Sequence, residues 1–271
     1  PIFSNIENCL KSSNKKYYNK LLELLIFLFG RMKNPLEQAE IIRKIVCKDN
    51  KRKYYRFRGG RFYGGIACAD CVGCFLDCAY CWSQKPRKMP EKIGKFYSPE
   101  DIADKLVNIA RTRGYRQVRI SGNEPTLCKE HLIKVISLIS SIASDLTFIL
   151  ETNGILIDEK YAKELSKFKN LYVRVSLKGT NEKTFSLITS AMPGFFEYQL
   201  KGLTNLVNNN VSCSAAIMAD LFAQKEILEI RNRVSEIHQS LARNLEFESL
   251  IMYPFVQQNL AKRGINIKRS N

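Results

Sequence analysis

The stretch Cys74-Phe75-Leu76-Asp77-Cys78-Ala79-Tyr80-Cys81 places three cysteines within eight residues. Thiolates this close in sequence can turn inward from one loop and hold a single soft metal centre. Three protein ligands leave one iron of a four-iron, four-sulfur cluster without a protein ligand, and that iron can bind a small molecule. The spacing therefore predicts an iron–sulfur centre with an open coordination site, and we expect the fold to be arranged around it.

The composition is typical of a globular protein. Of 271 residues, 45% are apolar and 25% are charged, which argues against a disordered chain and leaves room for one large domain. The formal net charge of +17 is unusual and indicates an acidic partner, such as nucleic-acid phosphates, an acidic substrate or an acidic electron carrier. The alternative is a general lysine bias with no binding role.

Cysteine usage favours metal binding over a disulfide framework. The count of nine is odd, and five of the nine lie between Cys68 and Cys81. Cys128 and Cys213 are expected to be ordinary thiols. No signal peptide is visible, and the longest apolar run, Leu21 to Phe29, is too short to cross a bilayer. We therefore expect a cytoplasmic, reducing location and no membrane contact; the start at Pro1 is consistent with processing or truncation.

Residues 1–60 are expected to form a helical N-terminal extension and a basic linker. Apolar residues from Tyr17 to Leu28 recur at helical spacing, and a second helix should begin at Asn34-Pro35. The basic stretch Lys48 to Arg61 interleaves aromatic residues with cations, which suits stacking on bases and contact with phosphates. The alternative is a solvated linker or a short strand with its Lys and Arg side chains outward.

From Phe62 onward, segments typical of strands alternate with segments typical of helices, which predicts parallel strands joined by crossover helices. Strands are expected at 62–67, 117–121, 146–152, 171–177, 211–218 and 245–251. Helices are expected at 99–112, 129–143, 158–168, 182–208 with a break at Pro193-Gly194, and 224–241. We predict the α/β class, with a partial (β/α)6 TIM-like barrel over residues 61–254, a helical N-terminal segment and a tail over 255–271. Ligands should then bind at the C-terminal ends of the strands.

The Cys-x3-Cys-x2-Cys spacing, with an aromatic residue before its last cysteine, resembles the cluster loop of the radical S-adenosylmethionine (SAM) superfamily. The resemblance implies that Cys74, Cys78 and Cys81 hold a [4Fe–4S] cluster whose open iron binds SAM, and that Tyr80 packs against the SAM adenine. Cys68 and Cys71 would be spare thiols or ligands of something additional. Together with Cys74 and Cys78, however, they also reproduce the spacing of a bacterial ferredoxin run, and a zinc ribbon is a weaker rival because its ligand pairs stand further apart.

A second motif follows the second predicted strand. Ser121-Gly122-Asn123-Glu124-Pro125-Thr126 is similar to the Gly-Gly-Glu-Pro turn with which that superfamily binds the SAM ammonium. The resemblance implies that Gly122, Asn123 and Glu124 contact SAM, because an ammonium group needs acceptors held on a tight turn. Asn123 stands where the family has its second glycine, and asparagine tolerates a positive φ better than most residues do.

Two further segments resemble the glycyl-radical-enzyme activases, a branch of the same superfamily: Glu151-Thr152-Asn153-Gly154 and Ser176-Leu177-Lys178. The resemblance implies that Thr152, Ser176 and Lys178 bind SAM, with Lys178 neutralising its carboxylate. Tyr253, after the last predicted strand, is expected near the adenine. No further side chain is predicted to be catalytic, because His131 and His238 fall on predicted helices as surface or packing residues.

The resemblance implies an iron–sulfur enzyme that cleaves SAM reductively to a 5′-deoxyadenosyl radical, which then abstracts hydrogen from a substrate. It also implies an acidic one-electron donor of the ferredoxin or flavodoxin type. The activase-like motifs favour a protein substrate, whereas the positive charge favours RNA or a nucleobase. Outside this class of enzyme, the alternative is an iron–sulfur electron carrier or a metal-dependent nucleic-acid-binding module.

Overall fold

The computed structural model describes residues 32–267. The strands are β1 (Cys47–Lys48), β2 (Lys51–Gly60), β3 (Ile66–Cys71), β4 (Lys95–Tyr97), β5 (Gln117–Gly122), β6 (Thr147–Thr152), β7 (Leu171–Leu177), β8 (Cys213–Met218) and β9 (Glu246–Glu248). The helices are α1 (Pro35–Val46), α2 (Gln84–Lys88), α3 (Pro99–Arg113), α4 (Lys129–Ile142), α5 (Glu159–Leu165), α6 (Glu182–Thr189), α7 (Phe195–Asn208), α8 (Gln224–Ile237), α9 (Gln239–Arg243) and α10 (Pro254–Lys262). The predicted helix before Gly30 and the last four residues lie outside the described part of the chain.

The strands of residues 32–267 form one sheet in the order β1-β2-β3-β5-β6-β7-β8-β9, with β4 also paired to β2. From β3 to β9 along this path, six strands run parallel, and each connection between them contains a helix. The register aligns Cys71 with Gly122 and Thr152 with Val175, so the C-terminal ends of neighbouring strands meet at one end of the sheet. The predicted α/β class and the partial TIM-like barrel are confirmed.

The first barrel strand begins four residues later than the sequence suggested. Phe62–Gly64 form a 3₁₀ turn, and Gly65 follows with φ of 121°, a conformation that side chains rarely allow. Strand β3 therefore starts at Ile66, and all six of its residues are buried, as expected where both faces of a parallel strand are covered. The shift moves Cys68 and Cys71 from the predicted loop into the strand.

The other elements lie close to their predicted positions. The long helix expected over 182–208 is divided into α6 and α7 around Pro193-Gly194, as predicted. The last strand is shorter than predicted, three residues instead of seven. Ser98 caps α3: its hydroxyl accepts from Asp101 N at 3.2 Å, while the Asp101 carboxylate accepts from Ser98 N at 2.9 Å.

The basic stretch forms strand β2, so the expectation of a linker is wrong for residues 51–60. The side chains of Arg52 and Lys53 do not point outward, because the two residues are only 1% and 8% exposed. Lys53 Nζ donates to the carbonyl oxygens of Pro90 and Glu91, each at 2.8 Å, which supplies the partners that a buried cation requires.

Domain boundaries at residues 60 and 254 remain a prediction.

The two faces of the barrel wall differ in chemistry. The helix-facing side chains of the strands, such as Val118 and Phe148, belong to one large apolar core, where burying each such side chain contributes about 1.5–3 kcal/mol. On the other face, Ile66, Cys68 and Ile149 form a small separate cluster. The interior of the barrel is therefore not filled by apolar packing alone, and polar side chains can project into it.

Two expectations outside the barrel strands are settled by the packing around α1 and α4. Cys128 is not a free thiol, because it forms a disulfide with Cys47, with the two Cα atoms 5.9 Å apart. His131 is a packing residue: Nδ1 lies 2.9 Å from Asn50 O, and Nε2 lies 3.1 Å from the Tyr54 hydroxyl.

Among residues 32–267, no helix has the length and apolar character needed to cross a membrane.

Candidate cofactor site

One cavity of about 610 Å³ opens where the parallel strands end. Its walls come from the end of β2, the loop after β3, and the last residues of β5 to β9 with the segments that follow them. It is lined by all eleven residues predicted to bind metal or SAM: Cys74, Cys78, Tyr80, Cys81, Gly122, Asn123, Glu124, Thr152, Ser176, Lys178 and Tyr253. The structure thus brings the separate sequence motifs together at a single site.

The three predicted cluster ligands lie on residues 72–83, called the cluster loop below. The tip of this loop is fixed to the C-terminal end of α6, where Asp77 N donates to Thr189 O at 3.0 Å and Ala79 N donates to Ile188 O at 2.9 Å. Burial raises the pKa of all three thiols, that of Cys78 to about 11. These thiols are therefore protonated at neutral pH, and binding a cluster would release their protons.

The three thiols of the cluster loop have the donor chemistry of an iron–sulfur cluster. Within the described chain, no three His, Cys, Asp or Glu side chains are close enough to share one metal ion. A four-iron cluster needs a wider arrangement, because each cysteine binds a different iron atom. The thiols among the lining residues are Cys74, Cys78 and Cys81, which leaves one iron of such a cluster for SAM.

Cys68 and Cys71 do not join this site. They are both buried in β3 but on opposite faces, since Cys71 belongs to the helix-facing core and Cys68 to the small inner cluster. The ligands of a single cluster must converge on it. The ferredoxin spacing that includes these two cysteines therefore does not correspond to a ferredoxin site.

The turn after β5 combines a required glycine with an unstrained asparagine. Gly122 has φ of 101°, and a Cβ atom there would lie 2.9 Å from Cys71 N. Asn123 is not among the non-glycine residues with positive φ, so the expected concern about its backbone does not arise. Its side chain binds the cluster loop: Oδ1 accepts from Gly73 N at 2.7 Å, and Nδ2 donates to Ser83 O at 3.1 Å.

Glu124 joins this turn to the one after β6. Its Oε1 accepts from the hydroxyls of Thr126 at 2.7 Å and Thr152 at 2.6 Å, and its Oε2 accepts from Asn153 N at 2.9 Å. Thr152 therefore supports Glu124 rather than reaching the cavity with a free hydroxyl donor. Oε2 has one partner and can still accept from an ammonium group.

Asn153 was not predicted as a site residue, but it offers an unsatisfied donor at the cavity. The residue is 3% exposed and lines the cavity, yet its Nδ2 has no hydrogen-bond partner in the described part of the chain. A buried donor left unsatisfied costs about 1–3 kcal/mol, and a SAM carboxylate or ribose oxygen would satisfy it. Only its position next to Thr152 could have indicated this role, because an Asn-Gly pair also reads as an ordinary turn.

Lys178 presents a fixed cation to the same cavity. Its Nζ donates to Ser176 Oγ at 2.5 Å and lies 5.6 Å from the centroid of the Tyr80 ring. Burial by itself lowers the pKa of Lys178, but Tyr80, Cys78 and Glu248 raise it by more, so the net direction is upward. The ammonium group therefore stays charged at neutral pH and can neutralise a carboxylate.

A line of ion pairs crosses the inner face of the barrel. Arg119 Nη1 lies 2.8 Å from Glu151 Oε1, and Arg174 pairs with Glu246 at 2.8 Å and Glu248 at 2.9 Å. None of these residues was predicted as a site residue from the sequence. A signal was present, because each arginine precedes a predicted strand-end motif by two residues, and alternate residues of a strand share a face.

The second half of β2 adds two cations at the cavity. Arg56 Nε and Arg58 Nε lie 2.6 and 3.0 Å from the same carboxylate oxygen of Asp70, which is fully buried. Two positive charges thus share one negative charge. The group keeps a net positive charge that is available to an anionic ligand.

The segment after β9 closes one side of the cavity and contacts the cluster loop. The ring of Tyr253 stacks on Phe255 with centroids 5.4 Å apart, and Tyr253 lines the cavity with Leu250. Further along, Arg263 Nη2 donates to Asp77 O at 2.7 Å. The tail thereby fixes both the predicted adenine contact and the tip of the cluster loop.

Comparison with known proteins agrees with this geometry. Residues 70–233, more than half of the chain, match the family model described as the radical SAM superfamily. The GTP 3′,8-cyclase of Clostridium perfringens (strain 13 / Type A) is 30% identical over 164 residues, which are 60% of this chain and 49% of that protein. The probable GTP 3′,8-cyclase of Methanococcus vannielii is 38% identical over 117 residues, 43% of this chain and 37% of that protein. The chain thus aligns with half or less of these relatives' length.

Solved structures share the fold at low sequence identity. Streptococcus suis SuiB bound to S-adenosylmethionine has a TM-score of 0.55 at 15% identity and covers 72% of this chain and 47% of its own. The enzyme anSMEcpe with bound AdoMet has a TM-score of 0.51 at 22% identity and covers 66% and 48%. This chain belongs to the radical SAM superfamily, whose iron–sulfur enzymes use a [4Fe–4S] cluster and SAM.

Proposed function

We propose that this enzyme generates its radical in the cavity described above and uses it on an anionic nucleotide. One observation carries the proposal: at the wall of the cavity that holds every predicted cofactor residue, Arg56 and Arg58 share the single carboxylate of Asp70, which leaves an excess positive charge. Among the described residues, six cationic and three acidic side chains line this cavity, and two of the cations, Arg87 and Arg174, also pair with Asp77 and Glu246 outside its lining. The cations are Arg56, Arg58, Arg87, Arg119, Arg174 and Lys178, and the acids are Glu124, Glu151 and Glu248.

The residues of this chain have distinct tasks toward the cofactors. When bound and reduced by one electron, the cluster and SAM supply a 5′-deoxyadenosyl radical that abstracts a hydrogen atom. Cys74, Cys78 and Cys81 hold the cluster. Lys178 neutralises the SAM carboxylate, and Asn153 Nδ2 donates to one of its polar oxygens.

Arg119 is the side chain best suited to bind a substrate phosphate. The residue is 6% exposed, Glu151 takes one of its donors and the Cys68 thiol lies beside the guanidinium, but its buried Nε has no hydrogen-bond partner among residues 32–267. A buried guanidinium donor without an acceptor is destabilising, and a phosphate oxygen of a bound ligand would supply that acceptor. The net positive group of Arg56, Arg58 and Asp70 is positioned to bind further phosphate oxygens.

Two exposed rings at the cavity suit a planar base. Phe62 is 59% exposed and Trp82 is 42% exposed. Each lies against a cation, since Arg119 is 5.7 Å from the Phe62 centroid and Arg56 is 5.2 Å from the Trp82 centroid. Base stacking on such a ring contributes about 1–3 kcal/mol, so either ring can hold a nucleobase while the arginines bind its phosphates.

The relatives support the same class of substrate. Those named GTP 3′,8-cyclase act, by that name, on a nucleoside triphosphate. Because this chain aligns with half or less of their length, the similarity supports a nucleotide substrate without assigning their reaction. The glycyl-radical-activase branch, which the motifs favoured, remains a prediction.

The test is anaerobic reconstitution with iron and sulfide, followed by reduction in the presence of SAM and measurement of 5′-deoxyadenosine. We expect GTP or ATP to stimulate 5′-deoxyadenosine formation, guanosine without phosphates to fail, and Arg119→Gln to weaken the stimulation while basal SAM cleavage persists. Cys81→Ala is the control without cleavage. If an intact reduced cluster never cleaves SAM, the proposed radical reaction is contradicted. If SAM is cleaved at a rate that no nucleotide changes, the proposed nucleotide substrate is contradicted. Stimulation by RNA oligonucleotides alone would favour the RNA alternative.

A peptide or protein substrate is the second candidate, and the free edge of β9 favours it. Among the strands of residues 32–267, β9 pairs only with β8, and Phe247 and Ile251 beside it are exposed. Extended peptides bind by adding a strand to such an edge. Mixing the reduced holoenzyme with SAM and a glycyl-radical enzyme should then give a glycyl-radical EPR signal, and no signal would remove this candidate.

We further propose that the one-electron donor is an acidic protein that docks beside the cluster loop, in the cytoplasmic location that the cysteine pattern predicts. Residues 85–95 carry four exposed lysines, Lys85, Lys88, Lys92 and Lys95, with Glu91 as the one acid among them. Opposite charge steers such encounters and makes them sensitive to salt. Lys85→Glu with Lys88→Glu should slow reduction by flavodoxin but not by dithionite, and equal rates with flavodoxin would place the docking site elsewhere.

A further inference from the structure

We propose that Asn123 closes the base of the cluster loop and holds the two ends of the three-cysteine segment together. Gly73 immediately precedes Cys74, and Ser83 follows Cys81 by two residues. A single side chain bonds to both ends, through Oδ1 to Gly73 N at 2.7 Å and through Nδ2 to Ser83 O at 3.1 Å. This assigns Asn123 to positioning the cluster ligands rather than to binding SAM directly.

The side chain accounts for an asparagine at this position. Gly122 takes the positive φ of the turn, so position 123 needs no glycine for its backbone. A glycine at 123, as in the turn that this segment resembles, could make neither bond. Both polar groups of the amide are satisfied by the loop, which is the pattern expected of a structural link.

Asn123 is itself held firmly. Its backbone N donates to Cys71 O at 3.3 Å, and the next residue, Glu124, donates to Gly73 O at 3.0 Å. On the other side, the Ser83 hydroxyl lies 2.8 Å from the Tyr55 hydroxyl. The two side-chain bonds of Asn123, called the clamp below, therefore connect the loop to the end of β3, to the turn after β5 and to β2.

The tip of the loop has separate support, which predicts a specific defect when the clamp is lost. Asp77 and Ala79 bond to the end of α6, so Cys78 should stay in place. Cys74 and Cys81 lie near the two clamped ends, and only their separation should become variable. A cluster bound to such a loop should be lost faster, while the fold survives.

The experiment compares Asn123→Gly and Asn123→Asp with the matched control Asn205→Ala. Asn205 is a buried asparagine whose Nδ2 donates to Ile157 O at 2.8 Å, away from the cluster loop. Two measurements are made: hydrogen exchange of residues 72–83 in the metal-free protein, and loss of iron from the reconstituted protein to a chelator. The first needs no cluster, so a failed reconstitution does not obscure the result.

We expect Asn123→Gly to speed both exchange at Gly73 and iron loss about tenfold, as expected for losing two hydrogen bonds. Asn123→Asp should keep the Gly73 amide protected but lose iron faster, because a carboxylate oxygen would face Ser83 O. Asn205→Ala should change neither rate. Unchanged rates in Asn123→Gly, or equal changes in Asn205→Ala, would overturn the proposal. Neither readout depends on the substrate.

Discussion

The two halves of strand β2 contain the same kinds of residue and use them differently. In the first half, Arg52 is buried, and its Nη2 donates to Val72 O at 3.2 Å and Glu124 O at 2.7 Å. In the second half, Arg56 and Arg58 line the cavity and share Asp70. A run of basic residues in a sequence is therefore weak evidence for a nucleic-acid surface until burial is known, because part of the run can support the fold.

The largest expected effect comes from the first half. Arg52→Met should lower the free energy of unfolding by about 3–6 kcal/mol, because two buried carbonyls lose hydrogen bonds to a charged group, each contributing about 1.5–3 kcal/mol. Urea unfolding of the metal-free protein measures this. Arg56→Met is the matched substitution in the second half and should cost about 1 kcal/mol or less, since Arg58 still pairs with Asp70. Equal losses of unfolding free energy in Arg52→Met and Arg56→Met would show that the two halves of β2 do not differ in their contribution to the fold.

In the second half, removing either arginine should change the free energy of unfolding little, whereas removing both should lower it strongly. Asp70 is fully buried, and taking away its last cationic partner costs about 3–5 kcal/mol. Arg56→Met with Arg58→Met should therefore destabilise far more than the sum of the single variants. A double-mutant cycle in urea measures the excess, and simple additivity would show that Asp70 has another adequate partner.

The barrel and the loop that carries the three predicted ligands could be predicted because their signals are local. Alternating strand and helix periods fixed β5 and β7 within a residue, and the spacing of Cys74, Cys78 and Cys81 pointed to one loop. The limits of β3 were missed because a 3₁₀ turn occupies Phe62–Gly64. The Gly64-Gly65 pair was a turn signal in the sequence, but the aromatic residues before it were assigned to the strand.

The remaining features depend on which segments become neighbours. The pairing of Arg119 with Glu151 follows from the register between β5 and β6, and the unsatisfied amide of Asn153 depends on what surrounds it. Asn123 was read as a departure from a glycine motif, because its two partners lie 50 and 40 residues earlier. Such roles appear only when the strand order is known.

A disulfide adds a further constraint near the first half of β2. The Cys47–Cys128 bond closes a sequence separation of 81 residues, and Arg52 Nη1 lies 2.9 Å from Cys128 Sγ. Reduction should lower the stability by about 2–4 kcal/mol, measured as the melting temperature with and without reductant. In Cys47→Ser with Cys128→Ser, reductant should have no further effect. A wild-type melting temperature that does not change with reductant would contradict the prediction and restore the expected free thiol at Cys128.

The smallest effect concerns pH and the packing of His131 against the first half of β2. Burial lowers the pKa of His131 from 6.5 to about 4, and the neutral ring suits its partners, with Nδ1 donating to Asn50 O and Nε2 accepting from the Tyr54 hydroxyl. Because the unfolded chain binds the proton more tightly, the contribution is complete above pH 6.5 and is lost as the pH falls toward 4.

The loss should reach about 2 kcal/mol at pH 5. Urea unfolding of wild type and His131→Gln between pH 7.5 and 5 isolates this term, since both proteins contain the same carboxylates. We expect the stability difference between them to shrink by that amount as the pH falls. A constant difference would mean that the pKa of His131 is the same in the folded and the unfolded chain and that its contacts with β2 do not require the neutral ring.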